Sequence, residues 1–275
     1  MDLIAVGEVL LDVTVAELVP GRVSHAPAFV RAGGVPVNAA LAAVGARCAV
    51  VGRVGADPAA AAVRAALEGA GVGAILAVDD ELPTGTFVES GHGEARAIAV
   101  DRGASARLSA ADLPPLAARA VLVSGHVLLR DDTFAAARAA LEAAAAPLVA
   151  VVAAGPIGAD FHERARGANV LLANEEEASA LTGLGPAEAA AELARRYELV
   201  VVTAGAEGAV AARRGELVVA RPSRPLEFGR AGAGDAFAGV LLVSLAAGVE
   251  LPAALDRACE AGLRAAELSL RALGR

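Results

Sequence analysis

The 275-residue sequence predicts an α/β protein: a doubly wound, mostly parallel sheet flanked by helices, with a small β-strand lid, as a single domain over residues 1–275. Two observations carry this expectation. Short Val/Leu/Ala runs alternate with longer Ala/Arg/Glu/Leu segments, the pattern of strands buried on both faces between covering helices. Two regions interrupt that rhythm, Leu11–Arg31 and Gly73–Arg102. In the second, TGTFVESGHGEARAIAV alternates with the two-residue period of exposed strands around a Gly-His-Gly-Glu turn.

In chain order, the expected core strands are Leu3–Val6, Cys48–Val51, Val121–Ser124, Leu148–Val152, Val170–Ala173 and Leu199–Thr203, each a short apolar run. Helices are expected at about Val37–Val44, Pro58–Ala70, Thr133–Ala145, Glu175–Leu181, Pro186–Tyr197, Ala236–Ala247 and Pro252–Ala272. Those that lie between buried strands connect them in the manner of a βαβ unit. The strands of the two interrupting regions have no helix after them, so they pair with each other as a flap. A flap beside the carboxyl edge of such a sheet suits a lid. No internal repeat and no long linker divides the chain.

Composition narrows the chemistry. The formal net charge is -8, which argues against binding nucleic acid or an anionic membrane, since neither attracts a surface of its own sign. Every basic side chain is arginine, for the sequence has no lysine. Schiff-base enzymes, P-loop nucleotidases and protein kinases all need a lysine amine and are excluded. Cys48 and Cys259 stand far apart without C-x-x-C spacing, as in reduced, cytoplasmic proteins. The opening MDLIAVGEVLLD lacks the basic region of a secretion signal, and the longest uncharged run, Ala143–Ala159, is broken by Pro147, Gly155 and Pro156. The expectation is a cytoplasmic protein without a membrane segment.

The most informative stretch is Gly229-Arg-Ala-Gly-Ala-Gly-Asp-Ala-Phe-Ala-Gly239, a glycine-rich turn leading directly into an apolar helix. Gly232, Ala233 and Gly234 would present successive N–H groups at the positive end of that helix, a ready seat for a phosphoryl group. Asp235 has two readings. It is either a plain helix cap or a general base beside an anion-binding nest.

Together with four other motifs in the same order, this segment resembles the ribokinase-like (PfkB) carbohydrate kinases over nearly the whole chain. Gly232-Ala-Gly-Asp235 is similar to the family's C-terminal signature, which implies Asp235 as catalytic base and the amides of Gly232, Ala233 and Gly234 as anion hole. Gly33-Gly-Val-Pro-Val-Asn-Ala-Ala40 resembles the N-terminal signature, implying sugar contacts from Gly33, Gly34 and Asn38. Gly7-Glu8 with Asp12 resembles the opening strand, where the Asp holds sugar hydroxyls. Asn174-Glu-Glu-Glu177 is similar to the N-x-x-E element, implying Glu177 near Mg²⁺ and Asn174 near phosphate. Val201-Val-Thr-Ala-Gly-Ala-Glu-Gly208 resembles the nucleotide-contacting turn, implying Thr203, Gly205 and Gly208. Taken singly, each has a plainer reading: a turn at Gly33-Gly34 or Gly205, a helix cap at Asn174, an ion pair between Asp12 and a flap arginine.

The sequence departs from the family in two places. Gly229, Arg230 and Ala231 replace the usual Asp-Thr-Thr or Asp-Thr-Val, which leaves the family's monovalent cation without its loop. Arg230 either supplies a fixed charge in its place, as a nucleotide-side residue, or points to solvent. Val151–Gly158 lacks the D-x-N-x-R of the fructose-kinase branch.

The resemblance thus implies an ATP- and Mg²⁺-dependent phosphotransferase acting on a hydroxyl of a small sugar or sugar acid of the ribose, 2-keto-3-deoxygluconate or fructose type. Arg31 or Arg102 could bind an acid group, and Arg102 joins Asp12, Gly33, Gly34 and Asn38 as a candidate contact to the acceptor. Alternatives are a catalytically weak sugar- or nucleotide-sensing protein on the same scaffold, a nucleoside kinase, and an NAD-dependent dehydrogenase. The last is disfavoured because the first βα unit lacks G-x-G-x-x-G. His25, His92, His126 and His162 are too scattered for a metal cluster or a Ser-His-Asp triad. Exposed lid strands offer an edge for a homodimer, and a monomer fits the sequence equally.

Overall fold

The computed structural model describes residues 1–16, 18, 21–91, 96–224 and 232–272. The first apolar run forms β1 (Leu3–Val6), buried throughout because it lies inside a sheet with a partner on each side. The chain leaves through β2 (Leu10–Val15) and β3 (Ala28–Gly33), then returns by α1 (Val35–Ala42) to β4 (Cys48–Gly55), α2 (Pro58–Gly69) and β5 (Gly73–Asp79). A second excursion makes β6 (Thr84–Ser90) and β7 (Ala97–Gly103). The alternation then resumes as β8 (Ala120–Ser124), α3 (Gly125–Leu128), α4 (Asp131–Ala143), β9 (Leu148–Val152), α5 (Phe161–Arg164), β10 (Val170–Asn174), α6 (Glu175–Thr182), α7 (Pro186–Leu193) and β11 (Leu199–Thr203). Two short strands, β12 (Ala209–Arg213) and β13 (Glu216–Ala220), precede α8 (Ala233–Ala246) and α9 (Leu251–Ala272).

The main sheet has nine strands in the order β13-β12-β11-β10-β9-β8-β1-β4-β5. From β11 to β5 every pairing is parallel, while β12 and β13 are antiparallel additions at one edge. Alternate residues of each strand feed opposite cores. Leu3, Leu122 and Val201 pack with Val37, Leu241 and Leu255 of α1, α8 and α9, whereas Ile4, Val121 and Val200 pack with Ala137 of α4 and Leu193 of α7. Helices on both faces make the sheet doubly wound, as its apolar runs predict. No helix is long and apolar enough to cross a membrane among the described residues.

The lid is a separate four-stranded sheet, β3-β2-β6-β7. Asp57, which caps α2, ties the lid's base to the body by accepting hydrogen bonds from the N–H and hydroxyl of Thr84, both at 2.7 Å.

Two expectations need correction. Gly73–Asp79 is not part of the lid: β4 runs on to Gly55, and this added length gives β5 a parallel partner at the sheet edge, from Ala49↔Gly73 to Gly55↔Asp79. Ile75 and Val78 are exposed there because an edge strand has one open side. The antiparallel pair β12–β13 is absent from the expected strands. It turns at Arg214-Gly215, both with positive φ (52° and 83°), so the chain reverses through an Arg-Gly in place of the usual Asn-Gly.

Candidate active site

Asp235 lies in the first turn of α8, behind Gly232, which starts the helix in the left-handed conformation at φ 87°. The N-cap position itself is a glycine and carries no side chain to cap the helix. The Asp235 carboxylate accepts from Asn38 Nδ2 at 3.0 Å, across from α1. The two helices come close because position 239 is glycine: a Cβ there would fall on the carbonyl of Ala39. Burial raises the Asp235 carboxyl above its ordinary range; the Asn38 bond opposes this, the charge of Glu8 adds to it, and His126 and Arg31 oppose it.

Asp12 is 4% exposed on β2, with Arg31 Nη2 of β3 3.5 Å away. Burial pushes its carboxyl up to about 7 against the pull of Arg31, with the charges of Asp235 and Glu89 adding to the rise. Gly33 and Gly34 are required by this packing. A Cβ at Gly33 would occupy the space of the Asp12 carboxyl group, and Gly34, at φ 92°, lies against the Glu8 carbonyl. A Cβ at Gly232 would stand 3.1 Å from both Arg31 Nη2 and Asn38 Nδ2. Asp12, Gly33, Gly34, Asn38, Gly232 and Asp235 therefore converge from three distant segments.

Beyond Asp235 the site continues along the carboxyl ends of the parallel strands. A cavity of about 170 Å³ is lined by Asp235, Gly234, His126, Asn174, Glu177 and Thr203 among others. It shares Asn174, Thr203, Gly234 and Phe237 with a larger one of about 470 Å³ that also includes Ala233, Gly205 and Gly208. A Cβ at Gly234 would meet nothing within 4 Å, so an anion can approach that backbone.

Asn174 and Glu177 form a reciprocal capping box: Glu177 N–H donates to Asn174 Oδ1, and Asn174 N–H donates to Glu177 Oε2, each at 2.8 Å. The cap reading of Asn174 is therefore correct, and it coexists with a place in both cavities. Burial raises the Glu177 carboxyl, opposed by its bond from Asn174. One carboxylate with one oxygen engaged, at the edge of a cavity, fits Mg²⁺, which takes few protein carboxylates and keeps several waters.

Arg102 does not join this group. β7 is the far edge of the lid, two strands from β2, and there Arg102 pairs with Asp132 at 2.7 Å and donates to Thr133 Oγ1 at 3.2 Å, at the start of α4. The expectation that it contacts the acceptor is corrected accordingly. Arg230, with Gly229 and Ala231, lies outside the described residues, as do His92–Glu94 of the lid turn.

Two residues join the site without having been assigned a role from sequence. Glu8 is 5% exposed; its Oε1 accepts from Ser124 Oγ at 3.2 Å and lies 4.0 Å from His126 Nε2, while Oε2 is buried without a hydrogen-bond partner among the described residues. A lone carboxylate inside the apolar run IAVGEVLL was the available signal. Arg96, from the lid, lines the larger cavity, and nothing local in Glu-Ala-Arg-Ala marks it.

The pattern of the pfkB family carbohydrate kinases matches residues 2–271. The chain belongs to that family. It is 33% identical over 238 residues to the bifunctional protein HldE of Caulobacter vibrioides, covering 81% of this chain and 49% of that one. The chain thus spans about half the length of the curated relatives it matches over most of its own. Among solved structures, adenosine kinase from Sinorhizobium meliloti superposes with a TM-score of 0.84 at 23% identity, over 95% of this chain and 92% of the other. An E. coli chain with a provisional ribokinase II assignment, solved in complex with ATP and Mg²⁺, gives 0.78 at 19% identity, over 98% and 99%. These likenesses establish the ribokinase-like fold.

Proposed function

We propose that this pfkB-family chain is an ATP-dependent phosphotransferase that phosphorylates a hydroxyl of a small sugar or sugar acid. The observation that carries the reading is the position of Asp235. Its carboxylate is held by Asn38 on the Asp12 side and opens on the other into the cavity reached by Gly234, Asn174 and Thr203.

In this reading Asp12 and Asn38 hold the acceptor and Asp235 takes the proton of the reacting hydroxyl. That oxygen forms its bond to the terminal phosphorus of ATP as the bond to the ADP oxygen breaks. The raised Asp235 carboxyl is a stronger base than an ordinary aspartate. The amides of Gly232, Ala233 and Gly234 donate to the transferring group, where negative charge is concentrated. Asn174, Thr203, Gly205 and Gly208 border the nucleotide, and Asn174 and Glu177 would hold Mg²⁺ through water. Mg²⁺, when bound, neutralises phosphate charge.

Arg31 beside Asp12 favours an acceptor carrying an acid group, since a guanidinium matches a carboxylate in two-point geometry. Purified protein assayed for ADP release with ATP and a panel of sugars, sugar acids and nucleosides tests the reading. Turnover with a sugar or sugar acid is expected. Binding of a sugar without ADP release would instead identify a sensor, and preference for a nucleoside would move the acceptor class.

A further inference from the structure

We propose that a cavity at the amino edge of the main sheet binds a free α-amino acid with a large apolar side chain, at a site independent of the kinase reading. The cavity, about 600 Å³, lies between the first residues of β9, β10 and β11 and the turn that joins α8 to α9. That volume is in the range of small-molecule pockets. It stands apart from the candidate active site: Leu245, in its wall, is on the last turn of α8 and Asp235 on the first, about 15 Å away.

The cavity is a trough with a polar end. Arg213, Leu199, Val170 and Leu148 come from four neighbouring strands, β12, β11, β10 and β9, and Arg213 is the register partner of Leu199. With strands about 4.8 Å apart, the apolar floor runs about 14 Å from the arginine. Leu245 and Val249 close it from the α8–α9 side. Glu198 precedes Leu199 at the arginine end, and Glu250, just before α9, is a second acid in the wall. Arg119, before β8, is already engaged, its Nη1 donating to the Ala246 carbonyl at 3.2 Å. The side chains of Arg213, Glu198 and Glu250 make no hydrogen bond or ion pair to the described residues, although both signs of charge line one cavity. Charge of one sign alone would call for a simple acid or a simple amine. Both signs, unpaired beside an apolar floor, match a ligand that carries both. Its carboxylate takes Arg213 in two-point geometry, its ammonium takes Glu198 or Glu250, and its side chain lies along Leu199 and Val170.

The test is calorimetric titration of the full chain with L-leucine and with L-phenylalanine. Binding of at least one, with a Kd of about 1 mM or tighter, is expected. Analogues dissect it on the unaltered protein. Glycine lacks the apolar side chain, isocaproate and hydrocinnamate lack the ammonium of leucine and of phenylalanine, and isopentylamine and phenethylamine lack the carboxylate. Each should bind about tenfold or more weakly than its parent. Arg213→Gln, and the double variant Glu198→Gln/Glu250→Gln, should each lower affinity for the amino acid about tenfold or more while affinity for Mg²⁺-ADP stays within about twofold. Saturating Mg²⁺-ADP should leave the amino acid bound. Binding of neither amino acid, an acid or amine analogue that binds as tightly as its parent, or displacement by Mg²⁺-ADP overturns the proposal. Should a variant not fold, the analogues decide alone. If Mg²⁺-ADP does not bind at all, the kinase reading fails and the amino-acid titrations still stand.

Discussion

Asn38 and Asp235, 197 positions apart, are joined by a single hydrogen bond of 3.0 Å from amide to carboxylate. The bond ties the acid on α8 to a donor on α1. Replacing Asp235 by Asn keeps the shape and removes the proposed base. kcat should fall by about 10²-fold or more while calorimetric binding of Mg²⁺-ADP is retained. Near-normal turnover would end its assignment as base.

Asn38→Ala removes the donor that favours the charged form of Asp235. Its carboxyl then rises further, and the acid limb of the kcat/KM profile should move to higher pH than in the wild type. A profile measured on both proteins gives the answer, and a limb moving to lower pH would contradict the bond's role.

Asp12 joins function to a cost in stability. Burial pushes its carboxyl up to about 7 in the folded protein, well above the ordinary aspartate value of 3.8. Below pH 4 both states hold the proton; as pH rises the unfolded chain releases it first, so the stabilising preference for the protonated fold is lost through about pH 7. Asp12→Asn should therefore melt a few degrees above the wild type at pH 8, with the gap closing toward pH 5, and should bind the acceptor poorly. Thermal scans at the two pH values check this, and a gap that widens at low pH would refute it.

Gly33→Ala places a methyl group where the Asp12 carboxyl sits. The acceptor KM should rise about tenfold or more with nucleotide affinity unchanged. Paired titrations with acceptor and Mg²⁺-ADP separate this from general unfolding.

The parallel strands were legible because burial on both faces makes them continuous apolar runs, as Leu199–Thr203 shows. Edge strands lack that mark: β5 mixes buried and exposed residues, and β13 is exposed along most of its length. The part of the site held in contiguous motifs, Gly232–Asp235, Gly33–Asn38 and Asn174–Glu177, could likewise be read from the chain. Glu8 and Arg96 could not, because their roles arise from neighbours remote in sequence, Ser124 and His126 for one and a cavity edge for the other. Arg31 and Arg102 looked alike as lid arginines; only the strand order separates β3, beside Asp12, from β7, beside α4.

β3 ends at Gly33 and α1 begins at Val35, so a single residue, Gly34, connects the lid to the helix that bears Asn38. A joint that short has no slack. In the proposed kinase, a tilt of the lid over a guest would be levered onto the first turn of α1 and would reach there the amide that holds Asp235.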